Sequence, residues 1–463
     1  MSVILKHCGA ISIILLLSYI KMSNLKISHK FLLLILLFSL AFILQFFKLS
    51  KPHIIRWDEY TNLRVIMDTD KQGTFPILKY SESYTGYFFE KPPLWYWTTT
   101  SVVKIFGSTN LTLRIISAIS GFCLIGLIFF IGYKLFSYQA GVFAILAIMG
   151  THHLFYSYFP GYFSTHSLRS ADLDALQLLL IMLSFFFFYL STTHNSFVKI
   201  NARYFWIILA SLFSALAFLA KGPFAFLPGL IYFSFQLVNL IRKKEVFTDF
   251  LSNLLLYSST LFLIAGSWHL WMYYKFGNQF IEEYFIYHIL TRSFTTIEGH
   301  SGYTLMFTNY LLNPKLFVSG AMLFFSFFIM IFKYNKNILN NFKLYSIIMG
   351  TVIPLLIISL IKTQIAWYLF YTYPFACLIL GKFISDIEKM SLKWTIYIPF
   401  IILTYFTISY SFFYTFILCF IFFFFLHILS KLKIISIHKF IQLSILTVII
   451  PQIYMNLLHI LYI

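Results

Sequence analysis

The feature that most constrains this chain is a succession of apolar stretches, many with 17 or more residues and no charge, divided by short basic segments. A helix needs about 20 apolar residues to cross a bilayer. In hydrocarbon only helices and closed barrels satisfy their own backbone. These runs are too long for barrel strands, so the chain reads as an all-α integral membrane protein. Its composition agrees, with 60% of residues hydrophobic and only 11% charged. A soluble globular protein, a disordered chain and a disulfide scaffold are excluded on the same ground. Cys8, Cys123, Cys377 and Cys419 lie in apolar stretches without CxxC spacing and read as small hydrophobes.

Thirteen spans are expected, near 31–48, 111–136, 139–160, 173–190, 203–220, 222–241, 252–272, 315–333, 344–361, 365–385, 394–410, 412–429 and 440–461. The short apolar segment 94–107, opened by Pro92-Pro93, reads as an interfacial helix. Residues 1–21 read as an N-terminal extension ahead of a working start at Met22, and 22–463 as one transmembrane domain. Outer loops 49–93 and 273–314 are long for connectors, and long loops carry function.

The formal charge is +19, from 34 Lys and Arg against 15 Asp and Glu. In a soluble protein this would point to nucleic acid. Here the cations fall between spans, where the positive-inside rule places them in the cytoplasm. With Lys26 and Lys30 inside, alternation also puts Arg203, Arg242-Lys243-Lys244, Lys343, Lys382 and Lys439 inside. The same count sends eleven of fifteen acids outside, among them Asp58, Glu59, Glu90, Asp172, Asp174, Glu282 and Glu283. No nucleic-acid partner is expected, and the chemistry is expected on the outer, periplasmic face of a bacterial inner membrane.

Two junctions carry candidate chemistry. Asp58-Glu59 follows the first span, where an acidic pair is costly unless solvated, paired or metal-bound. A plain helix cap at Asp58 is the competing reading. Glu90-Lys91-Pro92-Pro93 opens the interfacial helix, and offers a carboxylate for a metal or hydroxyl and an ammonium for a phosphate.

The order Asp58-Glu59, Glu90-Lys91-Pro92-Pro93-Leu94 and Phe106-Gly107 resembles the GT-C glycosyltransferases. The similarity is to the branch holding the lipid A aminoarabinose transferases and protein O-mannosyltransferases. Further marks follow in order: Arg169 before Asp174-Ala175-Leu176, Lys221-Gly222-Pro223, Trp268, Phe276-Gly277, Tyr287-His288, Arg292, Glu298-Gly299-His300, and Lys362 before Trp367-Tyr368 and Tyr371. The marks run from about 50 to 385.

The resemblance implies a GT-C fold and transfer of a sugar from a polyprenyl-phosphate donor, such as an undecaprenyl-phosphate sugar. The acceptor would be lipid A-like, another glycan or a protein. It implies catalytic roles for Asp58, Asp174 and Glu59, and phosphate binding by Lys91, Arg292, Lys221 and Lys362. A divalent metal cation would be held by Glu90 with His288 or His300, and no nucleotide is needed. Each residue also has a plainer reading: Asp174 as a helix cap competing with Asp172, Lys221 as a snorkelling lysine, the histidines as interfacial hydrogen-bonders. Relatives commonly carry an arginine two residues after the first acidic pair; here Tyr60-Thr61-Asn62 follows. Donor-sugar specificity therefore does not transfer. A transporter or flippase of lipid-linked sugars is the alternative, and it would place ionisable groups in mid-span.

Overall fold

The computed structural model describes residues 27–51, 57–155, 166–193, 200–297, most of 327–387, and 436–462. The described chain is helical apart from turns and one antiparallel bridge, Lys79 to Tyr87. In order, the helices are α1 (Ile27–Phe46), α2 (Asp58–Lys71), α3 (Leu94–Phe106), α4 (Asn110–Leu135), α5 (Tyr138–Gly150), α6 (Asp174–Thr192) and α7 (Ile200–Lys221). There follow α8 (Leu227–Ile241), α9 (Phe247–Leu261), α10 (Ser267–Phe276), α11 (Phe342–Leu360), α12 (Tyr373–Asp386) and α13 (Ile437–Tyr462). Seven of the described helical stretches are long and apolar enough to cross a membrane.

The sequence places most of these elements within a few residues. α1 buries Leu33, Leu37, Ala41 and Leu44 along one stripe and leaves Phe31, Leu32 and Ile35 exposed for lipid. α4 opens on a reciprocal capping box between Thr109 and Thr112. α9 continues through a π-helical turn, Phe262–Gly266, into α10.

Two expected spans take another form. In place of 139–160, α5 has only 13 residues, all but two of them buried, before a 3₁₀ turn at His152–Leu154. Thirteen residues rise about 20 Å, short of a bilayer's hydrocarbon thickness. α5 packs among α4, α12 and α13, with Gly132 and Gly141 letting backbones meet so closely that a Cβ on Gly132 would lie 2.9 Å from Gly141 Cα. In place of 365–385 stand a 3₁₀ helix, Ala366–Tyr371, and then α12. The spans expected at 394–410 and 412–429, most of that at 315–333, and the start at Met22 lie outside the described residues.

Charge separates along the bundle. α6 begins at Asp174 and ends near Tyr189, whose hydroxyl donates to the Lys134 carbonyl and whose ring lies under Lys343. α7 runs back from Arg203, paired with Glu245 at 2.9 Å, to Lys221. The basic connectors thus gather at one end of α6 and α7, and Asp174 and Lys221 meet at the other.

Candidate active site

α2 begins at Asp58, not after it. Its N-cap is Trp57, at φ 97°, and no side chain caps the helix. Asp58 is therefore free of the capping role, and its carboxylate turns to two cations. Oδ1 lies 3.5 Å from Lys91 Nζ and Oδ2 lies 2.7 Å from His166 Nε2. Asp174 likewise does not cap α6, whose N-cap is Leu173. Its Oδ1 accepts from Lys221 Nζ at 2.5 Å, and its Oδ2 faces His166 Nδ1 at 2.7 Å. Asp172 completes the group, with Oδ2 at 2.9 Å from the same Nδ1 and Oδ1 at 3.8 Å from Lys221.

His166 is thus the hub of the cluster, and no sequence motif singles it out. Both ring nitrogens face carboxylates, so both must carry protons, and the ring is an imidazolium. Burial alone would strip the proton. Asp172, with hydrogen bonds to Asp172, Asp174 and Asp58, more than offsets that and pushes the pKa up to about 10. The ring stacks on Trp367, with centroids 3.8 Å apart and planes at 12°. That indole comes from the 366–371 helix that replaced the expected span.

Asp58 and Lys91 reinforce each other. Burial would raise the Asp58 pKa, but Lys91 and His166 hold it well below the usual carboxylate range. Burial would lower the Lys91 pKa, but Asp58 leads the charges that hold it above the usual lysine value. Three carboxylates, Asp58, Asp172 and Asp174, therefore face three cations, His166, Lys91 and Lys221. Asp58 and Lys91 keep 23% and 17% side-chain exposure while His166, Asp172 and Asp174 are sealed, so the cluster opens outward at the Asp58–Lys91 pair.

Glu59 corrects an expectation. Its carboxylate is fully buried and makes a two-pronged pair with Arg114, both contacts at 2.7 Å, while Oε1 also accepts from the Ala171 backbone N–H at 2.9 Å. Asn62, one turn on, donates to the Ala171 carbonyl at 2.9 Å. With its lone pairs committed and no path to solvent, Glu59 cannot take a proton from substrate. It clamps the 166–173 segment to α2. Successive residues of α2 thus divide the work: Asp58 faces the cluster, and Glu59 fixes the segment that carries His166.

The remaining expected residues lie on the two facing loops. Phe276 and Phe280 pack on Phe89, with centroids 5.0 and 5.9 Å away, which brings the π-helical stretch Ile281–Thr291 over Glu90 and Lys91. His288 is half-buried, and burial, Arg292 and Lys91 push its pKa down to about 3, so it is a neutral imidazole. Backbone bonds from Lys362 to Ser293, 3.0 Å, and from Thr363 to Arg292, 3.2 Å, set Arg292 and Lys362 side by side. Glu298 and His300 lie outside the described residues.

The metal expectation also shifts. Among the described residues the histidine–carboxylate group with ligand atoms within 4.8 Å of one another is Asp58, His166 and Asp172, not Glu90 with His288. This group fits a metal poorly as it stands, because His166 would have to surrender a proton to offer a lone pair and the cluster already balances three charges against three.

Comparison with known proteins bears on this geometry. Residues 90–271 match the family model described as dolichyl-phosphate-mannose-protein mannosyltransferase. ArnT from Cupriavidus metallidurans bound to undecaprenyl phosphate superposes with a TM-score of 0.63 at 17% identity, over 92% of this chain and 77% of that one. The chain has the GT-C fold. The GT-C fold extends to ArnT in its apo state, with a TM-score of 0.65 at 17% identity over 92% and 76% of the two chains. It also extends to the Archaeoglobus fulgidus oligosaccharyltransferase, TM-score 0.54 at 14% identity over 81% and 52%. An uncharacterized protein of Aquifex aeolicus is 27% identical over 330 residues, 71% of this chain and 67% of that protein.

Proposed function

We propose that this GT-C enzyme transfers a sugar from a polyprenyl-phosphate carrier to an acceptor hydroxyl or phosphate on a lipid A-like lipid, a glycan or a protein. The reaction takes place at the periplasmic face of the inner membrane. The observation that carries this reading is the Asp58–His166–Asp174–Lys221 cluster with Lys91 at its open edge. A neutral hydroxyl is a weak nucleophile, so a base must take its proton as the new bond forms. Asp58 suits that role: it is the partly exposed carboxylate, and Lys91 and His166 keep it ionised.

In a single displacement the acceptor oxygen bonds to the anomeric carbon as the bond from that carbon to the carrier phosphate breaks. The acceptor's proton passes to Asp58, the electron pair leaves with the phosphate, and the anomeric centre inverts. Negative charge grows on the departing phosphate, and preorganised cations stabilise it. Lys91 is placed for this, with Lys221 behind it and Arg292 and Lys362 on the facing loop. A divalent cation at Asp58, His166 and Asp172 would have to displace the imidazolium proton, so no step is routed through one. The long apolar exterior suits a carrier that stays in the bilayer. The outer face is supported by the separation of the basic connectors from the cluster.

The test uses vesicles supplied with a polyprenyl-phosphate sugar. Asp58→Asn and Lys91→Ala are expected to abolish transfer while the protein remains in the membrane; full turnover by both variants would defeat the assignment. Mass spectrometry of envelope glycolipids and glycoproteins with and without the gene identifies sugar and acceptor together.

A further inference from the structure

Lys221 closes α7, and a helix end leaves its last carbonyls without intrahelical partners. Gly222 follows at φ 109°, a conformation L side chains rarely adopt, and turns the chain into Pro223. Gln177 reaches this junction from the neighbouring helix. It lies one turn after Asp174 on α6, is 1% exposed, and donates Nε2 to the carbonyls of Ala217 at 3.2 Å and Gly222 at 3.0 Å. Its Oε1 accepts from the Tyr371 hydroxyl. The Tyr371 ring stacks on Phe224, two residues past Gly222, with centroids 4.0 Å apart and planes at 13°. Gln177 and Tyr371 therefore hold the backbone on both sides of Lys221, and Asp174, one turn before Gln177 on α6, takes the ammonium itself.

We propose that Gln177, oriented by Tyr371, is the positioning residue that sets Lys221 for the phosphate of the lipid carrier. This rests on the phosphate-binding reading of Lys221 given above. Lysine is a point charge on a flexible four-carbon stem, so its usefulness depends on where its backbone is fixed. A carboxamide suits the task because it donates to two carbonyls and accepts a phenol at once without adding a charge beside Asp174. The 366–371 helix would then brace both halves of the cluster, Trp367 behind His166 and Tyr371 behind Lys221.

The experiment measures binding of undecaprenyl phosphate to the full chain in nanodiscs of neutral lipid, with undecaprenol as the phosphate-free control. Lys221→Gln and Gln177→Leu are each expected to weaken undecaprenyl phosphate by about tenfold and to leave undecaprenol unchanged. The double variant is expected to be no weaker than either single one, because residues acting through one contact are non-additive. Tyr371→Phe, which keeps the ring and its stacking, is expected to lose a smaller part of the same affinity, and it decides the matter if Gln177→Leu does not fold. Wild-type affinity in Gln177→Leu or in Tyr371→Phe, losses that multiply in the double variant, or an equal loss of undecaprenol would overturn the positioning role. Wild-type affinity in Lys221→Gln would instead overturn the phosphate reading, and the inference with it.

Discussion

Replacing His166 by glutamine tests the electrostatic logic of the cluster directly. Glutamine keeps a hydrogen-bond donor and a similar reach but removes the positive charge that faces Asp58, Asp172 and Asp174. Two unit charges about 4 Å apart at an effective dielectric near 20 attract by about 4 kcal/mol. Each carboxylate loses such a pair energy; for the partly exposed Asp58 solvent screening brings it toward the ~1 kcal/mol of bulk water, and about 1.4 kcal/mol is a factor of ten in ionisation. On the acid limb of the pH–rate profile, transfer should therefore fall by about tenfold at a given pH, so the limb moves toward neutral. The unbalanced negative charge also opposes the carrier phosphate, so KM for the donor should rise at every pH. The assay is sugar transfer in proteoliposomes against pH and donor concentration, with size-exclusion behaviour confirming that the variant is folded. A folded His166→Gln enzyme with the wild-type acid limb and KM would refute the view that the imidazolium keeps Asp58 ionised.

Other outcomes follow from the same geometry. Glu59→Gln leaves the Arg114 guanidinium buried without its counter-charge and should cost about 3–5 kcal/mol of stability, read as a lower melting temperature; the double change Glu59→Gln with Arg114→Met should recover part of it. Gly222→Ala meets no clash, its new Cβ being 3.9 Å from Tyr284 Oη, so its cost should be the backbone strain of φ 109°, about 1–3 kcal/mol, with carrier-phosphate affinity falling alongside. Two of the shifted groups, His166 and Asp58, also set a pH window. His166 has a raised pKa, so its stabilisation is full below about 6.5 and is lost as pH rises through about 10. Asp58 has a depressed pKa, so its stabilisation is present above the ordinary carboxylate value of about 3.9 and is lost below it. The melting temperature should therefore be highest between those limits and fall on both sides, and a monotonic profile would contradict the pairing.

Much of the architecture was legible in the residues because hydrocarbon imposes a blunt rule: a spanning helix must be long, apolar and self-bonded. Runs such as 110–135, 174–192 and 342–360 have no other stable form; capping by Thr109 marks where α4 begins, and the break at Gly222-Pro223 where α7 ends. α5 and the 366–371 helix escaped that rule because they are buried in protein, where a neighbour can satisfy what the bilayer cannot. Asp58 and Lys91 could be picked out because charges at the edge of apolar spans are conspicuous, and Asp174 and Lys221 through the resemblance in motif order. Their partners could not. A histidine among the polar residues of 151–172 carries no local mark, and whether Glu59 or Asp58 faces the cavity depends on which side of α2 meets Arg114. One-dimensional order records the kind of side chain at each position; only packing decides which charges share a dry space, and that choice made His166 the hub and Glu59 a clamp.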